Sequence, residues 1–535
     1  MQTLGAFLRE VTTRYAAQPA LTSPQDGALE VWTYRRLWDE STRVAAWLRA
    51  QGIAKGDRIV ISGPNSAWWV AAYFGSLRLG AILVPLDVRS TPDFIARAVE
   101  QTTPALAFRS RTLTVPWPHP GPVAVLEDLG ALPAPPAGDP DGAVTPDDVA
   151  EIVYTSGATG APKGVVLTHA NIAAQVAALD PRVPNFPHFS TLALLPLSHM
   201  MEQTVELLLA LQRGSSIRYL ADLRPAALMQ ALREHRPTTL VLVPQALGMF
   251  MALIEREVAK QGKEAEWHRL QQVAEHLPLK ARRLLFRPAY EKLGGRIEFL
   301  VSGSAPLPAE LLRKWELIGI PVIQGYGMTE ATAGLTVTTM DDRSPDHVGK
   351  PLPGVELRIA ADGEILARSA SIMRGYWQNP TATAEVFADG WYHTGDLGRL
   401  DAAGHLYFLG RKKDMIALAN GMKVYSLDVE QALRAVPGVL DAAVFGLPGE
   451  RGEQVHAVLR LGPAAPPADE IVRQANAALA PHQRITGVTV WPEDDFPRTH
   501  TLKVKKPALL AAVLARQAAG PAPAPAVAEP AGAGA

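Results

Sequence analysis

At 535 residues the chain is too long for one ordinary domain, and 47% hydrophobic with 20% charged residues is the composition of a globular protein with a large core. A formal net charge of −1 gives no electrostatic case for nucleic acid, and the absence of cysteine excludes disulfides, thiolate metal sites and a cysteine nucleophile. The N-terminal stretch carries Glu10 and lacks a signal peptide's apolar region, and no uncharged apolar run approaches membrane-spanning length. A soluble, cytoplasmic protein is expected, with peripheral contact at the inner membrane face left open.

Leu4, Phe7, Leu8, Val11 and Tyr15 mark one face of a first helix. A second is predicted from Tyr34 to Gln51, with Thr33 as N-cap and Gly52 beyond its end. Arg58 to Ser62 reads as a strand, Asn65 as the cap of a helix that stops at Gly80, and Ala81 to Pro85 as the next strand. This alternation predicts parallel sheets covered by helices. Residues 131–147, rich in Pro, Gly, Ala and Asp, read as a surface connection.

That connection leads into EIVYTSGATGAPKGVVLTH, residues 151–169. Ile152, Val153 and Tyr154 form a strand-like run; Thr155, Ser156, Gly157, Thr159, Gly160 and Lys163 follow. Glycines let backbone N–H groups turn inward, hydroxyls add donors and the lysine adds a compact charge, so the stretch reads as a phosphate cradle. It is not a P-loop of the kinase or GTPase type, because Pro162 precedes the lysine and Gly164 follows it. A solvated Gly/Ser/Thr loop is the plain alternative.

Further on, a strand from Leu192 to Leu195 ends at Pro196, with His199 just beyond; a lone histidine is more often structural than functional. A helix over 224–234, a strand from Thr238 to Val243 and a helix beginning over Gln245 to Ile254 follow. In the last, Leu247, Phe250, Met251 and Ile254 share one face and read as core. Residues 256–295 read as a solvated helical hairpin, whose Arg282, Arg283 and Arg287 could meet an anionic lipid or the phosphates of a cofactor. Two strands, Glu298 to Val301 and Pro321 to Gln324, open into SGSAPLP (302–308) and GYGMTE (325–330), and open sheets place ligands at such strand ends. Gly303, Ser304 and Ala305 leave room for a flat base, Tyr326 offers a stacking face, Thr329 a hydroxyl and Glu330 a hard oxygen for Mg²⁺. DAAGHL (401–406) reads as a hairpin turn. Short mixed elements follow: a helix from near Ser426, and strands Ala442 to Phe445 and His456 to Leu461. Residues 518–535, nearly all Ala, Pro and Gly, are expected to be disordered.

The string YTSGATGAPKGV resembles the phosphate-binding motif of the adenylate-forming superfamily, which comprises acyl- and aryl-CoA synthetases, peptide-synthetase adenylation domains and luciferases. Ala158 stands where that motif usually has Thr or Ser. PLSHMMEQ is similar to the family's carboxylate-pocket segment, which implies His199 beside the reacting acid. No counterpart appears of the Asp that amino-acid-activating relatives use for the substrate amine. The segments around Gly303, Ser304 and Ala305, and around Gln324, Gly325, Tyr326, Gly327, Thr329 and Glu330, resemble the adenine, α-phosphate and magnesium positions. VGKPLPG (348–354) continues the match. Asp396 follows the Thr-Gly-Asp pattern that binds both ribose hydroxyls, and Arg411 matches a second ribose contact. Lys413 matches the hinge, Gly421 lies in the loop facing the CoA tunnel, and Lys503 in FPRTHTLKVKK matches the catalytic lysine, with Leu502 where Gly is commonest.

The resemblance is greatest to bacterial long-chain fatty acyl-CoA synthetases. It implies an α/β fold with a large N-terminal domain of helix-covered sheets over 1–410, a small mobile α+β domain over 411–515 and a disordered tail over 516–535. It implies ATP, Mg²⁺ and coenzyme A as cofactors, and a fatty acid converted to acyl-adenylate and then acyl-CoA, with AMP and pyrophosphate released. Lys163 and Lys503 are 340 residues apart in sequence, so only a closed domain arrangement could bring both to one substrate. A ligase that loads a carrier protein, and a catalytically lapsed nucleotide or acyl-CoA sensor, are the alternatives. A homodimer is left open.

Overall fold

The structure is a computed structural model that describes residues 2–519, apart from 26, 136, 137, 139, 157–161, 185–188, 421, 450, 451, 464 and 499–503. The chain divides into two compact units, Met1–Phe408 and Leu409–Ala535.

The first unit is built on two large sheets. One runs in the order Lys350–Pro351, Thr336–Val337, Val322–Tyr326, Phe299–Ser302, Thr239–Leu242, Ser190–Leu192, Ser216–Arg218, Pro19–Gln25 and Ala28–Thr33. From Val322–Tyr326 to Pro19–Gln25 neighbouring strands are parallel, and antiparallel strands close both edges. The other runs Gly375–Tyr376, Pro162–Thr168, Val149–Ser156, Ile82–Pro85, Arg58–Ser62, Leu106–Arg109 and Val123–Val125. A third, smaller sheet holds Glu356–Ile359, Glu364–Arg368, Trp391–Leu400 and Phe387–Ala388, and Leu406–Arg411 pairs with Trp391–Leu400. The parallel strands are apolar on both faces, Ile59, Val60 and Ile61 being fully buried, as strands covered on both sides by crossover helices must be.

Local sequence explains most element ends. Thr33 accepts a hydrogen bond from Arg36 N at the start of Tyr34–Ala50, and Gly80 ends Ala67–Leu79 at φ 78°, where a Cβ would be strained. Asn65 does not cap that helix. Ser66 does, accepting from Trp69 N, while Asn65 spans to the other large sheet, donating to Leu195 O (2.6 Å) and accepting from Leu197 N (2.8 Å). Its amide, with one donor and one acceptor arm, thus fixes the turn just before His199. The strand expected at Leu192 to Leu195 is Ser190–Leu192, ending earlier because that turn begins at once.

Residues 256–295 hold the end of helix Pro244–Lys260 and the helices Glu264–Ala274, Leu279–Leu285 and Arg287–Lys292. Leu247, Phe250, Met251 and Ile254 are buried in one core with Trp267, Phe286 and Trp315, so that helix face is core. Arg282 and Arg283 are not anion receptors. Arg282 donates to the carbonyls of Leu277, Glu316 and Glu275, and Arg283 to Gly319 O, Glu298 O and the Glu298 carboxylate. Arg287 pairs with Glu291 at 2.7 Å. Each guanidinium meets groups left open at helix ends or an acidic neighbour one turn away.

The second unit has a hairpin, Met415–Ala417 with Lys423–Tyr425, and a sheet in the order Val439–Gly449, Gly452–Leu461, Gly487–Val490. Its helices are Ser426–Arg434, Ala468–Ala478 and Lys506–Ala519. Lys506 Nζ joins Glu430 (2.8 Å) and Ser426 Oγ (3.0 Å), tying the last helix to the first of this unit. Among the described residues no helix is long and apolar enough to cross a membrane.

Candidate active site

The phosphate-loop sequence folds as a hairpin: Val149–Ser156 returns as Pro162–Thr168, with Thr155 opposite Lys163 and Ser156 opposite Pro162. Gly157, Thr159 and Gly160 lie outside the described residues. Pro162–Thr168 pairs on its other side with Gly375–Tyr376, and Trp377 N donates to Gly164 O at 2.7 Å. This pairing brings in a residue that no local motif announced. Lys163 Nζ lies 5.0 Å from the centre of the Tyr376 ring, a cation–π distance. The Tyr376 hydroxyl donates to Glu330 Oε1 at 3.0 Å. One tyrosine therefore links the lysine of one sheet to the carboxylate at the edge of the other.

Glu330 stands in the single turn Thr329–Ala331, followed by Thr332 and Ala333 at φ 50° and 88°. Two consecutive left-handed residues reverse the chain sharply, and Gly327 is required beneath them: a Cβ there would come within 1.9 Å of Ala333 O. Met373 N donates to Glu330 O at 2.7 Å, fixing the turn from the side of Tyr376. Tyr392 is buried beside this group. Burial first, then the Glu330 charge and neighbouring tyrosines, holds its phenol neutral.

Tyr326, ending strand Val322–Tyr326, donates its hydroxyl to Asp396 Oδ2 at 2.9 Å; both are buried. The tyrosine ring packs 5.6 Å from that of Phe408. Asp396 lies in Trp391–Leu400, where its N–H donates to Thr394 Oγ1 at 3.1 Å. Gln324 points the other way: its side-chain amide donates to Ser344 O (2.8 Å) and His347 O (3.0 Å), holding that loop. A nucleotide contact at Gln324 would come from its backbone. Gly325 has no room for a side chain, since a Cβ would meet Thr336 O at 2.8 Å.

Gly303, Ser304 and Ala305 follow Phe299–Ser302, and Ser304 takes φ 66°. Its hydroxyl lies 3.3 Å from Met201 Sδ, so the turn faces the helix that begins after His199. His199 Nε2 is 3.5 Å from Asp87 Oδ2, and the imidazole is partly exposed while Asp87 is buried. Arg89 grips the same carboxylate with Nε and a terminal nitrogen, both at 3.0 Å, and with its own N–H at 2.8 Å. Burial works to raise the Asp87 pKa, but hydrogen bonds from His199 and Arg89 and the Arg89 charge prevail and hold it well below the carboxylate range. Asp87 and Arg89, unmarked in the sequence, thus orient His199.

The described structure brings together Lys163, Tyr376 and Glu330, and separately Tyr326 and Asp396, within the first unit. Arg411 ends the strand Leu406–Arg411 and Lys413 lies exposed in the single turn Lys412–Asp414, both in the second unit. Gly421 and Lys503 lie outside the described residues.

Behind His199 the chain forms Glu202–Leu208 as a π-helical segment and Leu209–Gln212 as α-helix before entering Ser216–Arg218. Between this helix and the strands lies a cavity of about 30 Å³, walled by Val205, Leu209, Ala210, Val241, Phe299 and Val301.

This arrangement has relatives. The family described as AMP-binding enzyme matches residues 8–377, and AMP-binding enzyme C-terminal domain matches residues 428–503. The chain is 28% identical to a long-chain-fatty-acid–CoA ligase, FadD15, of Mycobacterium bovis (strain ATCC BAA-935 / AF2122/97), over 89% of this chain and 90% of that protein. It is 30% identical to a feruloyl-CoA synthase of an Amycolatopsis species, over 83% and 86%. Among solved structures, ATP-bound MatB from Rhodopseudomonas palustris superposes with a TM-score of 0.79 at 25% identity, covering 96% of this chain and 99% of that one. The chain belongs to the AMP-binding enzyme family and, within it, to the adenylate-forming acyl-CoA ligases.

Proposed function

We propose that the acid this ligase activates is a medium- to long-chain fatty acid. The supporting observation is the cavity between the helix that follows His199 and the strands beside it, walled mainly by apolar side chains, with Thr191, Glu206, Arg213, Ser215 and Thr239 among them. A carboxylate is a poor electrophile, because its charge repels nucleophiles and oxide leaves badly. Attack of its oxygen on the α-phosphorus of ATP expels pyrophosphate and leaves an acyl-adenylate. The CoA sulfur then attacks the acyl carbon and AMP departs.

Neither step needs a protein nucleophile; both need neutralised phosphate charge. We assign Lys163, with Thr155, Ser156, Gly157, Thr159 and Gly160, to the departing β- and γ-phosphates, and Thr329 to the α-phosphate. Asp396 takes the ribose hydroxyls, with Arg411 as its second contact, and Tyr326 holds the carboxylate ready. The segment 303–305 and the backbone of Gln324, Gly325 and Gly327 take the adenine. His199, braced by Asp87, faces the acid. Glu330 suits Mg²⁺, which takes one or two carboxylates with substrate phosphates and would neutralise the leaving charge. Lys503 is the second, catalytic lysine, Lys413 the hinge and Gly421 a CoA-loop residue. A panel of acids from two to eighteen carbons, assayed for AMP release with and without CoA, tests the reading. Best turnover of short or purely aromatic acids would overturn it.

A further inference from the structure

Lys163 and Glu330 carry opposite charges within the span of one phenol, yet among the described residues they form no ion pair with each other. Each meets Tyr376. The ring faces the Lys163 ammonium at 5.0 Å, and the hydroxyl donates to Glu330 Oε1 at 3.0 Å. Among the described residues neither charged side chain has a further hydrogen bond or ion pair.

The strand pairing places the ring. Tyr376 lies opposite Val165, and Val165 shares its strand face with Lys163, two residues earlier, so ring and ammonium are diagonal neighbours. The tyrosine is 9% exposed. Its N–H donates to Thr383 Oγ1 at 2.9 Å, and the Tyr392 phenol hydrogen-bonds to its hydroxyl. On the other side, Met373 N holds the Glu330 turn at 2.7 Å. Ring, hydroxyl and carboxylate are therefore all fixed by neighbours.

Left to themselves in a half-buried space, an ammonium and a carboxylate close on each other. That pair must then break before phosphate takes the lysine or a metal takes the carboxylate. A ring face is a weaker partner for an ammonium than an anion is, and one neutral O–H leaves a carboxylate its charge. The hydroxyl also occupies Oε1, which turns Oε2 toward any incoming cation.

We propose that Tyr376 is a positioning residue that keeps Lys163 and Glu330 apart and aims each at its own ligand, the lysine at phosphate and the carboxylate at a divalent cation. Phosphate binding replaces the ring face at Lys163 with an anion, while the hydroxyl bond to Glu330 persists. The proposal rests on the assignments of Lys163 and Glu330 made above.

The test is ATP binding to the full chain without acid or CoA, so that nothing turns over, measured by calorimetry in excess EDTA and again in excess Mg²⁺. In EDTA, Tyr376→Phe should keep the wild-type Kd within about two-fold, because the ring remains. The factor by which Mg²⁺ tightens ATP should shrink ~5- to 10-fold in that variant, because Glu330 loses the bond that aims it. Tyr376→Leu should weaken metal-free ATP about 5-fold, as Lys163 closes onto Glu330. In a Glu330→Gln background the same change should alter the EDTA Kd by less than about two-fold, since the lysine has no carboxylate to close on. A loss of equal size in both backgrounds is the mark of a merely structural tyrosine and would overturn the proposal. So would a Tyr376→Phe protein with the wild-type Mg²⁺ factor, an arm that stands even where Tyr376→Leu does not fold. Wild-type metal-free affinity in Lys163→Met, or a wild-type Mg²⁺ factor in Glu330→Gln, would overturn the assignments of those two residues and the proposal with them.

Discussion

The nucleotide end and the acid end of the candidate site are built on opposite principles. At the nucleotide end the parts are loops at strand ends, and their polar atoms already hold one another: Tyr376 to Glu330, Tyr326 to Asp396. At the proposed acid end the parts are a helix and three strands, whose mostly apolar side chains wall the cavity. The nucleotide is the same in every turnover, so its groups can be pre-arranged and lose little freedom on binding. The acid is what distinguishes one ligase from another, and its pocket is shaped by side chains that any substitution reshapes.

Four experiments would break or sharpen this contrast. The largest effect is expected at the second lysine: Lys503→Ala should lower ATP–pyrophosphate exchange ~10²- to 10³-fold, since it removes a charge from the transition state. Transfer from preformed acyl-adenylate to CoA should be much less affected, and unchanged exchange would refute the role. Next, Asp396→Ala should raise KM for ATP ~10- to 100-fold, as two hydrogen bonds to a carboxylate are lost, with the order of preferred acids intact. A shift in acid preference would show that the two ends are coupled. Conversely, Val241→Phe should fill the cavity and shorten the favoured acid, costing ~10-fold on the longest acids with KM for ATP within about two-fold. Smallest in activity is Tyr376→Phe, which removes one neutral donor from Glu330 and should cost a few-fold in exchange.

The ends also differ in pH response. His235, whose ring meets Thr191 O at 3.0 Å beside the cavity, is pushed down to about 4 by burial, against its bond to that carbonyl. Between pH 6.5 and 4 the unfolded chain therefore binds a proton that the folded chain refuses, and stability falls as pH falls through that window. The raised carboxyls of Glu202 and Glu206 act oppositely: their contribution is complete at low pH and is lost as pH rises through their folded values. Urea midpoints for His235→Gln should fall less than wild type between about pH 6.5 and 5, and identical slopes would exclude this histidine as a source of the acid limb.

The same contrast governs what could be read in advance. The family was legible because short strings such as YTSGATGAPKGV and GYGMTE resemble those of adenylate-forming enzymes. Helix ends at Thr33 and Gly80 were legible because one residue carries the physics. Tyr376 was not, because its place depends on a strand pairing across more than two hundred residues of sequence, Tyr376 with Val165. Asp87 and Arg89 were missed likewise, since a carboxylate that orients a histidine in another sheet has no local pattern, and Asn65 read as a helix cap because its partners, Leu195 and Leu197, are equally remote in sequence. The three arginines of 282–287 misled in the opposite direction: basic residues in a polar stretch look available until their carbonyl and carboxylate partners are known.

The π-helical segment Glu202–Leu208 has a consequence for how such a pocket could change over generations. A π segment behaves as an α-helix carrying an inserted residue. Removing one residue there would let the helix rewind and rotate the preceding side chains by about 100° relative to those that follow. A single codon lost or gained could exchange which residues line the cavity while leaving the sheet, and the nucleotide end upon it, untouched. Substrate range in this lineage could then move by insertion and deletion inside a buried helix, where most proteins tolerate neither.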